Sequence, residues 1–254
     1  MQMIGISKEL VGGIPSLVVV DSEKKEEALP TVIYFHGITS AKEHNLPLAF
    51  LLAEKGIRVV LPDSIYHGER ETNEIDDVRY YLFHIVLQNV KELNDIKDDL
   101  ESRELILDGR VGVAGTSMGG ITTAAALSQY QWLNSAAILM GSPKLTTFAR
   151  ELVATYEKLG ELPMTKEEVD KLYETLQTFD LSLQVEKLNE RPLLLWHGDN
   201  DPTVPFEHSF RFYESTVKVY KDQDKIKFIR EKNQGHKVSR MAILETVKWF
   251  VSYL

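Results

Sequence analysis

Cysteine is absent from this chain of 254 residues. That excludes a disulfide framework, a thiol nucleophile and a thiolate-bound metal. Positive charge is also short: 29 basic residues against 38 acidic ones give a formal net charge of -9. Such a balance opposes nonspecific binding to nucleic acid or to an anionic membrane. No apolar run approaches the roughly 18 residues of a membrane span. The opening Met1-Gln2-Met3-Ile4-Gly5 lacks a basic region followed by a long apolar stretch, so no secretory signal is expected. There is no internal repeat and no low-complexity tract. These absences leave a soluble, cytoplasmic globule, and a chain of this length with 43% hydrophobic residues can bury a large core without crosslinks.

Two strands are expected first, at 3–10 and 16–20, around Gly12-Gly13, a dipeptide suited to a tight hairpin. From Pro30 onward, short β-branched runs alternate with segments of helical periodicity. The strands fall at 31–35, 57–61, 110–114, 135–140, 193–196 and 225–229, and the helices at 46–55, 76–100, 121–130, 206–220 and 238–254. This alternation predicts parallel pairing with right-handed crossovers. Near-continuous apolar strands such as Val32-Ile33-Tyr34-Phe35 suit a sheet covered on both faces. Residues 143–191 break the rhythm with two amphipathic helices, the second opened by the capping box Thr165-Lys166-Glu167-Glu168. The segment leaves the carboxyl end of a strand, where open α/β sheets bind ligands, and is expected to form a helical cap over the site.

The stretch Gly115-Thr116-Ser117-Met118-Gly119-Gly120 lies between an apolar strand and a helix. In that context G-x-S-x-G is a nucleophile elbow, a strained turn that lifts the serine hydroxyl clear of the sheet. A serine hydroxyl needs a base to take its proton, and the base needs an orienting acid, both from later strand-to-loop junctions. Asp199 and Asp201 follow the apolar strand in Leu195-Trp196-His197-Gly198-Asp199-Asn200-Asp201. Asp201 is preferred because its side chain emerges after the chain has turned at Gly198, whereas Asp199 is placed to shape the turn. A metal reading of His197, Asp199 and Asp201 finds no further ligand to support it.

The base candidate among seven histidines is His236, which follows the last strand in Asn233-Gln234-Gly235-His236. His67 precedes the serine in the chain and ranks second; His44 and His208 are expected to begin exposed helices. The oxyanion of acyl transfer requires two fixed donors. Met118 offers its backbone N–H after the serine, and Ile38 offers another in the loop Phe35-His36-Gly37-Ile38-Thr39-Ser40. His36, His67 and Tyr66 are candidates to line the pocket, and Phe148 and Tyr156 are further apolar candidates.

Together, His36-Gly37, Gly115-x-Ser117-x-Gly119, His197-Gly198-x-x-Asp201-x-x-Val204-Pro205 and Gly235-His236 resemble the α/β-hydrolase superfamily. The chain is most similar to its prolyl-oligopeptidase-like and dienelactone-hydrolase-like branch, and within it to small bacterial cytosolic serine esterases. The resemblance implies an α/β-hydrolase fold with an eight-stranded, mostly parallel sheet, helices on both faces and a cap at 143–191 within a single domain. It also implies Ser117 as nucleophile, Asp201 as acid, His236 as base, and the Ile38 and Met118 amides as oxyanion donors. A serine at the elbow argues against dienelactone substrates, whose hydrolases use cysteine there. The oligopeptidases of this branch carry a large N-terminal propeller, which is not expected in the roughly 30 residues ahead of the hydrolase pattern here. The expected reaction is hydrolysis of a small-molecule carboxylic ester through an acyl-enzyme, with no metal or organic cofactor. Amide and thioester hydrolysis by the same groups, or a hydrolase fold kept only for ligand binding, are the alternatives.

Overall fold

In the computed structural model, which describes residues 2–254, eight strands form one sheet in the order β1-β2-β4-β3-β5-β6-β7-β8. β1 (Ile4–Val11) and β2 (Ile14–Asp21) make the expected hairpin. Gly12 and Gly13 carry φ of 60° and 80°, the left-handed pair that a two-residue turn needs between right-twisted strands. β2 also pairs antiparallel with β4 (Arg58–Pro62). Every other pairing is parallel: β3 (Leu29–Phe35) lies between β4 and β5 (Ile106–Thr116), and β6 (Ser135–Leu139), β7 (Leu193–Gly198) and β8 (Ile226–Glu231) follow in sequence. The eight-stranded, mostly parallel α/β sheet expected from the sequence is the one that forms.

Both faces are covered. Val32 and Ile33, adjacent in β3, point to opposite faces and each is 0% exposed, so the strand has no polar side to show. On one face Val32, Val59 and Trp196 pack with α1 (Leu46–Ala53) and α7 (Arg240–Tyr253). On the other, Ile33, Val113 and Ile138 meet α2 (Leu82–Ser102), α3 (Met118–Gln129) and α6 (Phe206–Thr216). The stripe on α2 includes Leu93, Ile96 and Leu100, all fully buried, and each such side chain contributes roughly 1.5–3 kcal/mol. α2 begins at Leu82 rather than at 76, because the Asp77 side chain accepts the Arg79 amide and starts a separate 3₁₀ turn over Val78–Tyr81. Between β6 and β7 stand α4 (Leu145–Leu159) and α5 (Lys166–Gln177), the latter opened by the Thr165–Glu168 capping box. No helix of the described residues is long and apolar enough to cross a membrane.

The winding positions the site. β3 and β5 are neighbours, yet β3 leads into α1 on one face and β5 into α3 on the other. Their carboxyl ends therefore part to leave a crevice, the place where open α/β sheets take ligands.

Candidate active site

Ser117 stands at that crevice between β5 and α3. Its φ of 56° and ψ of -114° lie where only a strained turn holds a residue with a side chain. The glycines on either side let the turn close. A Cβ on Gly115 would come within 2.3 Å of the Gly119 carbonyl carbon, and one on Gly119 within 2.0 Å of the Phe35 carbonyl oxygen. The Ser117 amide donates to Leu139 O at 2.9 Å, which ties the elbow to β6.

His236 lies 119 residues further along, in the loop between β8 and α7, and its Nε2 is 2.9 Å from Ser117 Oγ. Its Nδ1 is 2.7 Å from Asp201 Oδ2, an acceptor, so Nδ1 carries the proton. Asp201 follows β7 and its side chain is 0% exposed. Oδ1 accepts from the amides of Thr203 and Val204 at 2.8 and 3.0 Å. Burial by itself would raise the Asp201 pKa, but the bonds from His197 and His236 and from these two amides outweigh it and hold the carboxyl well below the usual range. Asp201 is thus an anion throughout the neutral and mildly acid range.

Asp199 does other work. It accepts from Arg230 Nε at 2.9 Å and from the Asn233 amide at 2.7 Å, so it fastens the loop after β7 to the one that carries His236. The Arg230 hydrogen bond leads in keeping its pKa low. His197 is fully buried, with Nδ1 2.9 Å from Ser209 Oγ and Nε2 3.0 Å from Val204 O. His197 Nε2 also lies 3.3 Å from Asp201 Oδ2, but Asp199 is turned to Arg230 and Asn233, so the three do not form one cluster, and no group of three or more His, Asp or Glu side chains among the described residues is arranged to hold a metal ion.

Ile38 borders the same space as the serine, and Met118 follows the serine directly in the chain. Ile38 lines a hollow of about 540 Å³ with Tyr34, Ser117, Met140, His236 and Val238. Met118 opens α3, where the first amides have no partner within the helix. Among the described residues neither the Ile38 nor the Met118 amide donates to a protein acceptor. Gly37 leans on the elbow, and a Cβ there would stand 3.5 Å from Ser117 Cβ.

Three expectations change. His36 lines none of the cavities described here: it is 0% exposed, donates from Nδ1 to Gly37 O at 2.8 Å and accepts the Ser64 amide at Nε2 at 3.0 Å. It shapes the loop from behind because a ring with a bond at each nitrogen locks both chain segments. Its neighbour His67 does the same for Thr39, whose amide reaches Nε2 at 3.1 Å while Nδ1 donates to Ile65 O at 2.8 Å. Unlike His36, His67 borders a cavity, together with Tyr66 and Val78. His208 does not sit on an exposed helix face but is buried, 3.0 Å from Ser142 Oγ and 3.1 Å from Glu151 of α4. A helix start on the surface is no guide here, because α4 folds back over it. Finally, no residue of 143–191 lines the Ser117 hollow. That segment roofs a different cavity, to which Tyr66 and Tyr156 belong; Phe148 is core.

Sequence reading missed the Lys42–Asp63 pair. Both side chains are 0% exposed and bonded to each other, and Asp63 also accepts the amides of Lys42 and Glu69 at 3.1 and 2.9 Å. A charged residue closing a strand of otherwise apolar character, as in Val59-Val60-Leu61-Pro62-Asp63, is the one signal that pointed there.

A parallel sheet wound in this order, with a strained serine at the strand-to-helix turn of its crevice, is the architecture of the α/β-hydrolases. Within that class the chain belongs to the prolyl oligopeptidase family, whose sequence model matches residues 87–254. It is 44% identical to YitV of Bacillus subtilis, named provisionally as an esterase, over 99% of this chain and 100% of that one. It is 30% identical to esterase YjfP of Escherichia coli over 87% of this chain and 88% of that one. Among solved structures it is similar to TT1662 of Thermus thermophilus, with a TM-score of 0.77 at 18% identity, covering 99% of this chain and all of the other. Est1E of Butyrivibrio proteoclasticus, solved with ferulic acid bound, superposes with a TM-score of 0.69 at 18% identity over 95% of each chain.

Proposed function

We propose that this protein is a serine hydrolase of small-molecule carboxylic esters, acting through an acyl-enzyme. The observation that carries the reading is the imidazole of His236 within 2.9 Å of Ser117 Oγ and 2.7 Å of Asp201. In this reading the Ser117 hydroxyl loses its proton to His236 Nε2 as its oxygen attacks the ester carbonyl. The resulting imidazolium is stabilised by Asp201, which stays ionised. The carbonyl oxygen, now negative, takes the Ile38 and Met118 amides, each of which is typically worth about 10²–10³ in turnover. His236 returns its proton to the departing alcohol, and water repeats the sequence to release the acid. The chemistry needs neither metal nor organic cofactor. The relatives named as esterases support this substrate class, and the cysteine-free composition fits a reducing compartment such as the cytoplasm. In the same reading 143–191 is a cap that roofs the flank of the crevice rather than the serine itself.

Replacing Ser117 by alanine should lower kcat for 4-nitrophenyl acetate by about 10⁶ with the thermal melting point unchanged. Turnover within tenfold of the parent would refute the reading. The family's description as prolyl oligopeptidases favours amides as a second substrate class. A matched pair of 4-nitrophenyl ester and 4-nitroanilide separates the two, the ester being the faster if the present reading holds.

A further inference from the structure

Between α4 and the connection from β4 to α2 lies a cavity of about 470 Å³ that shares no lining residue with the Ser117 hollow. Tyr66, Tyr80, Tyr81, Tyr156 and Phe83 contribute five aromatic rings to its walls. Small-molecule sites typically enclose about 300–1,000 Å³, so the space is large enough for a ligand. The rings brace one another at its edges: Tyr66 meets Tyr81 edge-on at 5.4 Å, and Tyr80 meets Tyr156 edge-on at 5.1 Å.

Two features separate these walls from ordinary core. First, none of the four phenol hydroxyls bonds to another protein group among the described residues, and none is sealed from solvent, so each is free to donate to a ligand that enters. Burial, the leading influence, pushes the Tyr156 phenol up. Second, Tyr66 has φ of 63°, a left-handed conformation that disfavours bulky side chains and that glycine or asparagine would adopt more easily. Strain of this kind persists where the surroundings require it; here it accompanies a ring that serves as a cavity wall.

The cavity is not isolated from the chemistry. Tyr66 also borders a hollow of about 390 Å³ with Thr39 and Ser40, and those two residues line the Ser117 hollow as well. Shared walls therefore run from the tyrosines to the serine.

We propose that this tyrosine-lined cavity binds an aromatic group bearing hydrogen-bond acceptors. Ring edges and faces supply offset contacts, and the phenol hydroxyls donate to the acceptors. The group comes either from the far end of the ester substrate or from a separate aromatic molecule. Only the first source rests on the esterase reading.

The test is titration calorimetry of the full-length protein with 2-acetylnaphthalene, a neutral aromatic ketone. The account expects saturable binding of one molecule, about tenfold weaker for cyclohexyl methyl ketone and about tenfold weaker in Tyr156→Ala. Tyr80→Leu, on the same wall system, gives the same reading should Tyr156→Ala fail to fold. Ser117→Ala should bind as the parent does, so the result stands whether or not Ser117 is the nucleophile. Absence of saturable binding, or equal affinity in folded Tyr156→Ala and Tyr80→Leu, overturns the proposal. Kinetics then assigns the source. Competition by 2-acetylnaphthalene against a 4-nitrophenyl ester with an aryl-terminated acyl chain identifies the substrate's own ring; binding without competition identifies a separate molecule.

Discussion

The loop after β3 and the segment between β6 and β7 both rise from the carboxyl end of the sheet, but they are built from opposite materials. The first is held largely by buried polar bonds. Lys42 and Asp63 pair without exposure, two buried or nearly buried histidines each bond two backbone groups, and Arg70 braces the Asp63 end of the pair by donating to its carbonyl at 3.0 Å. The second is held by apolar side chains, Leu145, Phe148, Val153 and Leu176 among them, with Asp180, His208 and, at its far end, Arg191 as buried polar ties. Directional bonds fix backbone atoms in place, which is what an oxyanion donor such as the Ile38 amide needs. Apolar packing sets a volume, which is what a binding cavity needs. The physical cost differs as well, because a buried charge left alone is far more expensive than a small void.

That contrast can be broken or sharpened by substitution. The largest effect belongs to the loop side of the relay. Asp201→Asn should cut kcat for 4-nitrophenyl acetate by about 10⁴, as loss of the triad acid does elsewhere, while Asp199→Asn should cost far less because it only braces the two loops. If Asp199→Asn does the greater damage, the acid has been misassigned. Next, Asp63→Ala leaves Lys42 with only the half-exposed Glu43 and Glu69 as partners, and should lower unfolding free energy by about 3 kcal/mol, the low end for a broken buried pair, while also reducing ester turnover. On the insertion side, Leu176→Ala should cost about 2–5 kcal/mol by leaving a void with kcat/KM for the acetate ester unchanged. Urea unfolding paired with rate measurements distinguishes them, and equal losses of activity in both would erase the contrast.

A smaller effect follows from His36. Burial, the dominant influence, pulls its pKa down from 6.5 to about 4. Between those values the unfolded chain takes up a proton that the folded chain refuses, so stability falls as pH falls. The difference amounts to about 3 kcal/mol between pH 7 and pH 4. Urea midpoints measured across this range should slope less steeply in His36→Asn, and an identical slope would show that the ring is not held neutral.

Much of this was legible beforehand, where local chemistry dictates local geometry. Gly12-Gly13 specified its turn, Thr165 and Glu168 their cap, and the glycines around Ser117 the crowded elbow. The three side chains now in hydrogen-bond contact could be named because each follows a strand that the apolar pattern reveals. What the sequence hid depends on which loops meet. Lys42 and Asp63 are 21 residues apart on different connections, and nothing at either position announces the other. His208 looked like a surface residue until α4 folded over it. Tyr66, Tyr80 and Tyr156 lie on two distant segments, so their common cavity exists only after the insertion has packed against the β4–α2 connection.

The relay itself is tested most directly by covalent labelling. Incubating the protein with a short alkyl fluorophosphonate at neutral pH and mapping the adduct by mass spectrometry should place a single phosphonyl group on Ser117. The rate of labelling should drop by several orders of magnitude in His236→Ala. An unlabelled Ser117 in the folded parent, or a labelling rate indifferent to the loss of His236, would contradict the account.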